Sequence, residues 1–509
     1  MIEEFVTIDG NSLRIEHVIS VARGSVKVRL AEQAREKILA SRRYVEELVA
    51  ARQPVYGITT GFGKFSDVFI EPDDTARLQQ NLIRSHACGI GESLPVEDVR
   101  AMMLLRANAL ATGHSGVRLQ VIELLIDCLN HGIYPLVPRK GSLGASGDLV
   151  PLAHMGLFLT GEGTAVVDGE VLPAGRALAN CGLKPLRLEA KEGLALVNGT
   201  QFMTARGMLI LQRALQLADW ADAVSALTCQ ALEGITAAYS PLIHQQRPHP
   251  GQQKSAETLR FLLKDSRLTT EPGQIRTQDA YTLRCIPQVH GASRDVFTHV
   301  RDVLHREINS ATDNPLIFPE ECEVISGGNF HGQPVAMALD YLAVAMAELA
   351  NISERRIERL VNPQLSNLPP FLTKNGGLNS GLMIVQYAAA ALVSENKVLA
   401  HPASVDSIPS SGNQEDHVSM GANAANKAAQ IADNVVNVLA IELLCACQAV
   451  DYRGAEKLSP VTAKIYSAVR QLSAFIDDDR SVHADIHALS EFLTGNELMQ
   501  IINGKGVNC

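Results

Sequence analysis

Apolar positions recur at helical spacing through most of the second half of the chain. Three proline-free stretches, residues 201–240, 335–362 and 410–459, stop at Pro241, Pro363 and Pro460, and all are rich in Ala, Leu, Met and Ile, which favour helix. In the first, Met208, Leu211, Leu215 and Ala218 share one face while Leu209, Ile210 and Leu217 occupy others. A helix apolar nearly all round belongs at the centre of a large bundle. Unbroken, each stretch would exceed roughly 40 Å. Helices of that length need partners along them, and subunit association is one source. Gly207, Gly234 and Gly421 are the points where they could break.

The first two hundred residues are patterned differently. Helical spacing over Leu30–Ala51 and Val96–Ala111 alternates with glycine-rich loops at Tyr56–Gly63, Cys88–Gly91 and Gly141–Gly147, and short alternation near Thr164–Val171 predicts a hairpin. The division expected is therefore 1–200, a loop-bearing N-terminal domain, and 201–509, a long-helix bundle with a C-terminal helical tail. Residues 241–280, with Pro241, Pro248, Pro250 and Pro272, read as a loop or lid. Residues 375–394 carry no charge and are long enough to span a bilayer. Their Asn375, Asn379, Ser380 and Gln386 are poor spanning material, so buried protein interior is expected there.

Composition adds exclusions. The 509 residues are 46% hydrophobic and 20% charged, an ordinary globular balance, with a formal net charge of -10. A nucleic-acid binder would show a basic face or basic runs, and neither is present. The start, MIEEFVTIDG, lacks the basic and apolar regions of a secretory signal. Nine cysteines, an odd count without paired C-x-x-C motifs, indicate neither a disulfide framework nor a zinc knuckle. Cys445 and Cys447 read as small core residues. A reducing cytoplasm is the expected compartment.

The stretch Gly141-Ser-Leu-Gly-Ala-Ser-Gly-Asp148 bears the chemistry. It fails G-x-S-x-G as a nucleophile elbow, and no Lys-Ser/Thr follows the glycines as a phosphate loop requires. A third reading is self-cyclisation, in which the Gly147 nitrogen attacks the Ala145 carbonyl and two waters leave, making a methylidene from Ser146. Glycine suits the attacking position because no Cβ obstructs it. The tripeptide by itself reads better as a plain tight turn.

Its surroundings decide. GSLGASGDLVPLAHM resembles the signature of the aromatic amino-acid ammonia-lyases, and so do VYGITTGFG at 55–63, RSHACGIG at 84–91, EGLALVNGTQ at 192–201, DAYTLRCIPQV at 279–289, SATDNPL at 310–316, SGGNFHGQPVAMA at 326–338, GGLNSGLMIVQ at 376–386 and NQEDHVSM at 413–420. The resemblance implies a mainly α chain of fumarase/aspartase-like architecture, a homotetramer with active sites shared between subunits, and a methylidene-imidazolone formed autocatalytically from Ala145, Ser146 and Gly147, with no external cofactor, membrane or nucleic acid involved. It further implies Tyr56 as the base for the β-proton, Asn198 beside the substrate carboxylate and the prosthetic ring, Tyr281 near the ring and amine, Arg284 on the carboxylate, Phe330 as a wall and Gln278 in support. Alone, Tyr56 would read as a surface loop aromatic and Arg284 as a solvated ion pair.

Two positions bear on the substrate. Ser85-His86 stands where phenylalanine lyases resemble Phe-Leu and tyrosine lyases His-Leu, and Glu415 stands where those relatives carry glutamine. An imidazole could satisfy His86 and Glu415, whereas a phenyl ring would leave them unpaired at roughly 1–3 kcal/mol each. The expectation is L-histidine, released as trans-urocanate and ammonia in histidine degradation. Which of Tyr56 and Glu415 moves the decisive proton stays open, as does whether the electrophile meets the amine or the ring, with the amine preferred. His331, His401 and His417 do not have metal-ligand spacing, and no metal is expected. The rivals are a phenylalanine or tyrosine lyase, an aminomutase, a dicarboxylate-acting relative without the prosthetic ring, and a non-catalytic helical assembly.

Overall fold

The computed structural model describes residues 4–495 and 497–502; Cys509 and the first three residues of the N-terminal stretch lie outside them. The chain is mainly α. It forms two compact units, one from the chain up to Leu209 with Arg301–Asp340 and Pro402–Asn426, the other from Ile210–Val300, Tyr341–His401 and the chain from Lys427 onward. The units are discontinuous in sequence, which a single cut at residue 200 does not convey. Four of the five crossings between units fall within helices and the fifth, at His401–Pro402, in a loop, so proximity in space does not follow chain order.

The three apolar stretches are helices Gln201–Ala231, Gln333–Val361 and Gly421–Arg453, of 31, 29 and 33 residues. Gly207 does not break the first. A Cβ there would sit 2.7 Å from Cδ2 of Leu339, so the glycine admits a close neighbour. Gly421 opens the third helix, and Gly234 lies past the end of the first. Met208, Leu211, Leu217, Ala218 and Trp220 are buried, as are Cys445 and Cys447. Two of these helices are long and apolar enough to cross a membrane, yet 67% and 83% of their most apolar windows are buried inside the chain, as in core helices.

In the first unit, helix Val96–Ala111 has the predicted bounds and is buried from Asp98 onward, and helix Glu32–Ala50 matches its pattern. Strands Thr164–Val167 and Glu170–Pro173 pair antiparallel as the expected hairpin, with Tyr134–Pro135 as a third strand. Strands Phe5–Ile8 and Lys27–Leu30 pair in parallel.

Two expectations in the second unit fail. Residues 241–280 are not simply a loop, because Pro241–Gln245 and Pro250–Leu263 are helices and Leu259 and Leu262 are fully buried. Pro241 and Pro250 sit at the first helical position, where the missing N–H costs nothing. Residues 375–394 are not buried interior either. Leu378 is 86% exposed, and Ile384 and Tyr387 on helix Met383–Leu399 are also exposed. Lack of charge marks a face suited to contact; it does not say that the same chain supplies the contact.

Candidate active site

The Gly141–Asp148 loop is held by backbone on two sides. On one, Ser419 N donates to Gly144 O at 3.1 Å and Met420 N to Leu143 O at 3.2 Å, while Ala145 packs against Val418 and Met420. On the other, Asp148 N donates to Gly199 O at 2.7 Å, and Gly147 forms a parallel bridge with Gly199. Gly144 and Gly147 have φ of +77° and +74°. A Cβ on Gly147 would lie 2.1 Å from Gly199 O, so only glycine fits that approach.

Asp148 locks this arrangement from below. Its buried carboxylate accepts from Met203 N at 2.9 Å and from Ser142 Oγ at 3.1 Å. Burial pushes its pKa up to about 7, against the pull of those donors.

Above the loop lies a cavity of about 1210 Å³, and Tyr56, His86, Ser146, Asn198, Phe330 and Glu415 all line it. Ser146 Oγ donates to Glu415 Oε1 at 3.2 Å, and Ser410 Oγ donates to Glu415 Oε2 at 3.1 Å. His86 ends helix Thr75–His86 with Nδ1 3.0 Å from Ser85 Oγ, and burial holds its pKa below the ordinary value. Asn198 donates from Nδ2 to Asn314 O at 3.2 Å, leaving a buried Oδ1 without a partner among the described residues. The backbone of the cavity rim is tied in turn, with Gly327 N donating to Asn314 Oδ1 at 2.7 Å.

Tyr56 has few polar neighbours. Among the described residues its hydroxyl accepts only a long 3.4 Å bond, from Gly63 N. Burial raises its pKa above the usual 10, Gly63 opposes this, and the charge of Glu415 adds to it. The help that a phenol base needs is not supplied by these neighbours.

Gln278, Tyr281 and Arg284 belong to the other unit and are not among the residues lining this cavity. Tyr281 is 70% exposed, and the Arg284 guanidinium lies 4.7 Å from its ring centroid.

Sequence reasoning passed over several residues behind the cavity. Arg106 is fully buried and donates to Asn198 O at 2.6 Å. Lys191 and Asp313 form a buried ion pair at 2.8 Å, and Asp313 Oδ1 also accepts from Asn314 N at 2.7 Å. The signal for Arg106 was visible as a lone cation in the apolar run Ala101–Ala111.

The site's backbone and side chains come from the motif blocks, and comparison with known proteins agrees in extent. A model of the aromatic amino acid lyase family matches residues 13–471. A histidine ammonia-lyase of Symbiobacterium thermophilum is 59% identical over 493 residues, 97% of each chain. The crystal structure of histidine ammonia-lyase from Trypanosoma cruzi superposes with a TM-score of 0.90 at 44% identity, covering 99% of this chain and 96% of that one. Tyrosine aminomutase from Streptomyces globisporus reaches a TM-score of 0.94 at 40% identity, with 99% of each covered. The chain belongs to the aromatic amino acid lyase family, with that family's helical fumarase/aspartase-like fold.

Proposed function

We propose that this chain is a histidine ammonia-lyase, a carbon–nitrogen lyase that converts L-histidine to trans-urocanate and ammonia. The observation that carries the reading is that His86 and Glu415 line one cavity, with Glu415 bonded to Ser146. Backbone fold does not separate lyases from the aminomutase; these two side chains bear on the substrate ring.

The loop fits the methylidene-imidazolone of the family. Gly147 offers an unobstructed nitrogen, and the Ser146 hydroxyl is held at Glu415. A bond forms from Gly147 N to Ala145 C. The Ala145 oxygen leaves as water with the Gly147 and Ser146 amide hydrogens, and the Ser146 hydroxyl leaves as the second water with its α-hydrogen. Once present, the group supplies an electrophile that draws electrons from the substrate amine and improves its departure.

The chain's own residues do the rest. His86 and Glu415 hold the imidazole, and Phe330 walls it. Asn198 offers an open acceptor in its Oδ1, which suits the substrate ammonium; bonding the carboxylate would need the amide turned over. Tyr56 takes the β-proton. Gln278, Tyr281 and Arg284 enter from neighbouring copies in a homotetramer, which accounts for their absence from the lining and for a cavity larger than the roughly 300–1,000 Å³ usual for a small ligand. In this scheme the first unit carries the prosthetic loop and the second the bundle that assembles the copies, in the cytoplasm.

The test is an ultraviolet assay for urocanate run beside phenylalanine and tyrosine, with product analysis for β-amino acids and the intact mass of the purified protein. Urocanate formation with a mass two waters short is expected. Preference for phenylalanine or tyrosine, a β-amino product, or an unmodified mass would each overturn a part of the assignment.

A further inference from the structure

Arg106 sits in the middle of helix Val96–Ala111 with no solvent exposure. Burial draws its pKa down to about 10, with Asp313 opposing, so it is a cation at neutral pH. A guanidinium kept from water is unfavourable unless its bonds are good ones. Yet the nearby carboxylate of Asp313 is occupied by Lys191. The bonds of Arg106 go instead to the wall of the site, from Nη1 to Asn198 O at 2.6 Å and to Gln201 Oε1 at 3.0 Å.

The peptide that Arg106 grips adjoins the one the loop leans on, and Gly199 is shared by both. A Cβ on Gly199 would lie 2.6 Å from Arg106 Nη1 and 2.4 Å from Thr312 O, so the guanidinium and the 312 carbonyl close one side of the Gly199 backbone. On its other side, Gly199 O receives the Asp148 N–H at 2.7 Å and abuts Gly147. Gln201 is fixed as well, its Nε2 donating to Thr312 Oγ1 at 2.6 Å. The path from Arg106 to the cyclising tripeptide therefore crosses one residue, Gly199.

We infer that Arg106 is a positioning residue for cyclisation, seating the backbone on either side of Gly199 against Gly147 so that the Gly147 nitrogen is held towards the Ala145 carbonyl. The inference rests on the reading of the Ala145–Gly147 loop given above. Displacement of reacting atoms by about 1 Å is enough to slow a step by about 10²-fold, and no other cation bonds this peptide among the described residues.

Two variants test it. Arg106→Gln removes the charge and the fork. Gln201→Glu leaves the arginine but sets a carboxylate 3.0 Å from Nη1, drawing the guanidinium off Asn198 O, while the Thr312 hydroxyl can turn to donate. Intact mass followed over time after synthesis reads dehydration directly, beside circular dichroism and a melting curve. The wild-type chain must lose two waters; if it does not, the reading of the loop has failed before Arg106 is tested. The expected result is dehydration slowed by about 10²-fold in a variant that retains native helicity and melts cooperatively. A folded variant that loses both waters at the wild-type rate overturns the inference. If Arg106→Gln does not fold, Gln201→Glu decides.

Discussion

Ser146 and Glu415 are 269 residues apart in sequence, and the hydroxyl of the first donates to Oε1 of the second at 3.2 Å. The carboxylate also receives Ser410 Oγ at 3.1 Å, so it faces the tripeptide as an acceptor with its position fixed. The same group thus touches the precursor of the proposed electrophile and the space where the substrate ring would lie.

Replacing Glu415 with Gln keeps an acceptor for Ser146 and removes the charge. The intact mass should still be two waters short. With histidine, kcat/KM should fall by about 10–150-fold, equivalent to the roughly 1.5–3 kcal/mol of a hydrogen bond to a charged group. Steady-state kinetics on the mass-verified variant checks both statements.

Tyr56 acts as a base only when ionised, and burial together with Glu415 holds its pKa above 10. The ionised fraction therefore grows with pH across the neutral range, and log kcat/KM should climb on the alkaline side. Tyr56→Phe should be low in activity and lack that rise. A pH–rate profile of the two proteins decides it.

Asp148 gives a stability prediction with a definite sign. Its folded pKa, about 7, stands above the roughly 3.9 of an unfolded aspartate. Its contribution is thus fully present below about pH 4 and is lost as pH rises through about 7, a change of about 4 kcal/mol at most. Asp148→Asn should flatten the fall in stability across that window. Urea titrations at several pH values, taken as variant minus parent, measure it.

The Lys191–Asp313 pair is wholly buried. Lys191→Met strands the Asp313 carboxylate and should cost about 3–5 kcal/mol, visible as a lower urea midpoint.

His86→Leu removes a polar partner of the proposed imidazole while keeping an apolar wall. A rise in KM for histidine of roughly 5–150-fold is expected, equivalent to about 1–3 kcal/mol, with a narrower gap between histidine and phenylalanine. Competition assays with both amino acids report it.

The long helices and the buried helix Val96–Ala111 were legible because apolar periodicity and propensity acted together over many residues. Gly141–Asp148 was legible as chemistry only through the blocks around it; its glycines specify a strained backbone without saying what lies against it. Gly199 shows why, since its role depends on Gly147 and Arg106, which approach it from distant parts of the chain. The exposed face at Leu378, Ile384 and Tyr387 was misread because a lack of charge does not say whether a face is covered by the chain's own core. Tyr56 lines the cavity, but the rise in its pKa comes first from burial, with Glu415 adding to it, and no local pattern reveals either.

The contact of Gly147 with Gly199 is made by main chain alone. On the proposal above, the reagent is then built by folding itself, and no dedicated maturation enzyme or dietary precursor has to accompany the gene. A foreign host that merely translates and folds this polypeptide would deliver it ready to work, and a folding defect near residue 199 would surface as missing reagent in otherwise intact protein.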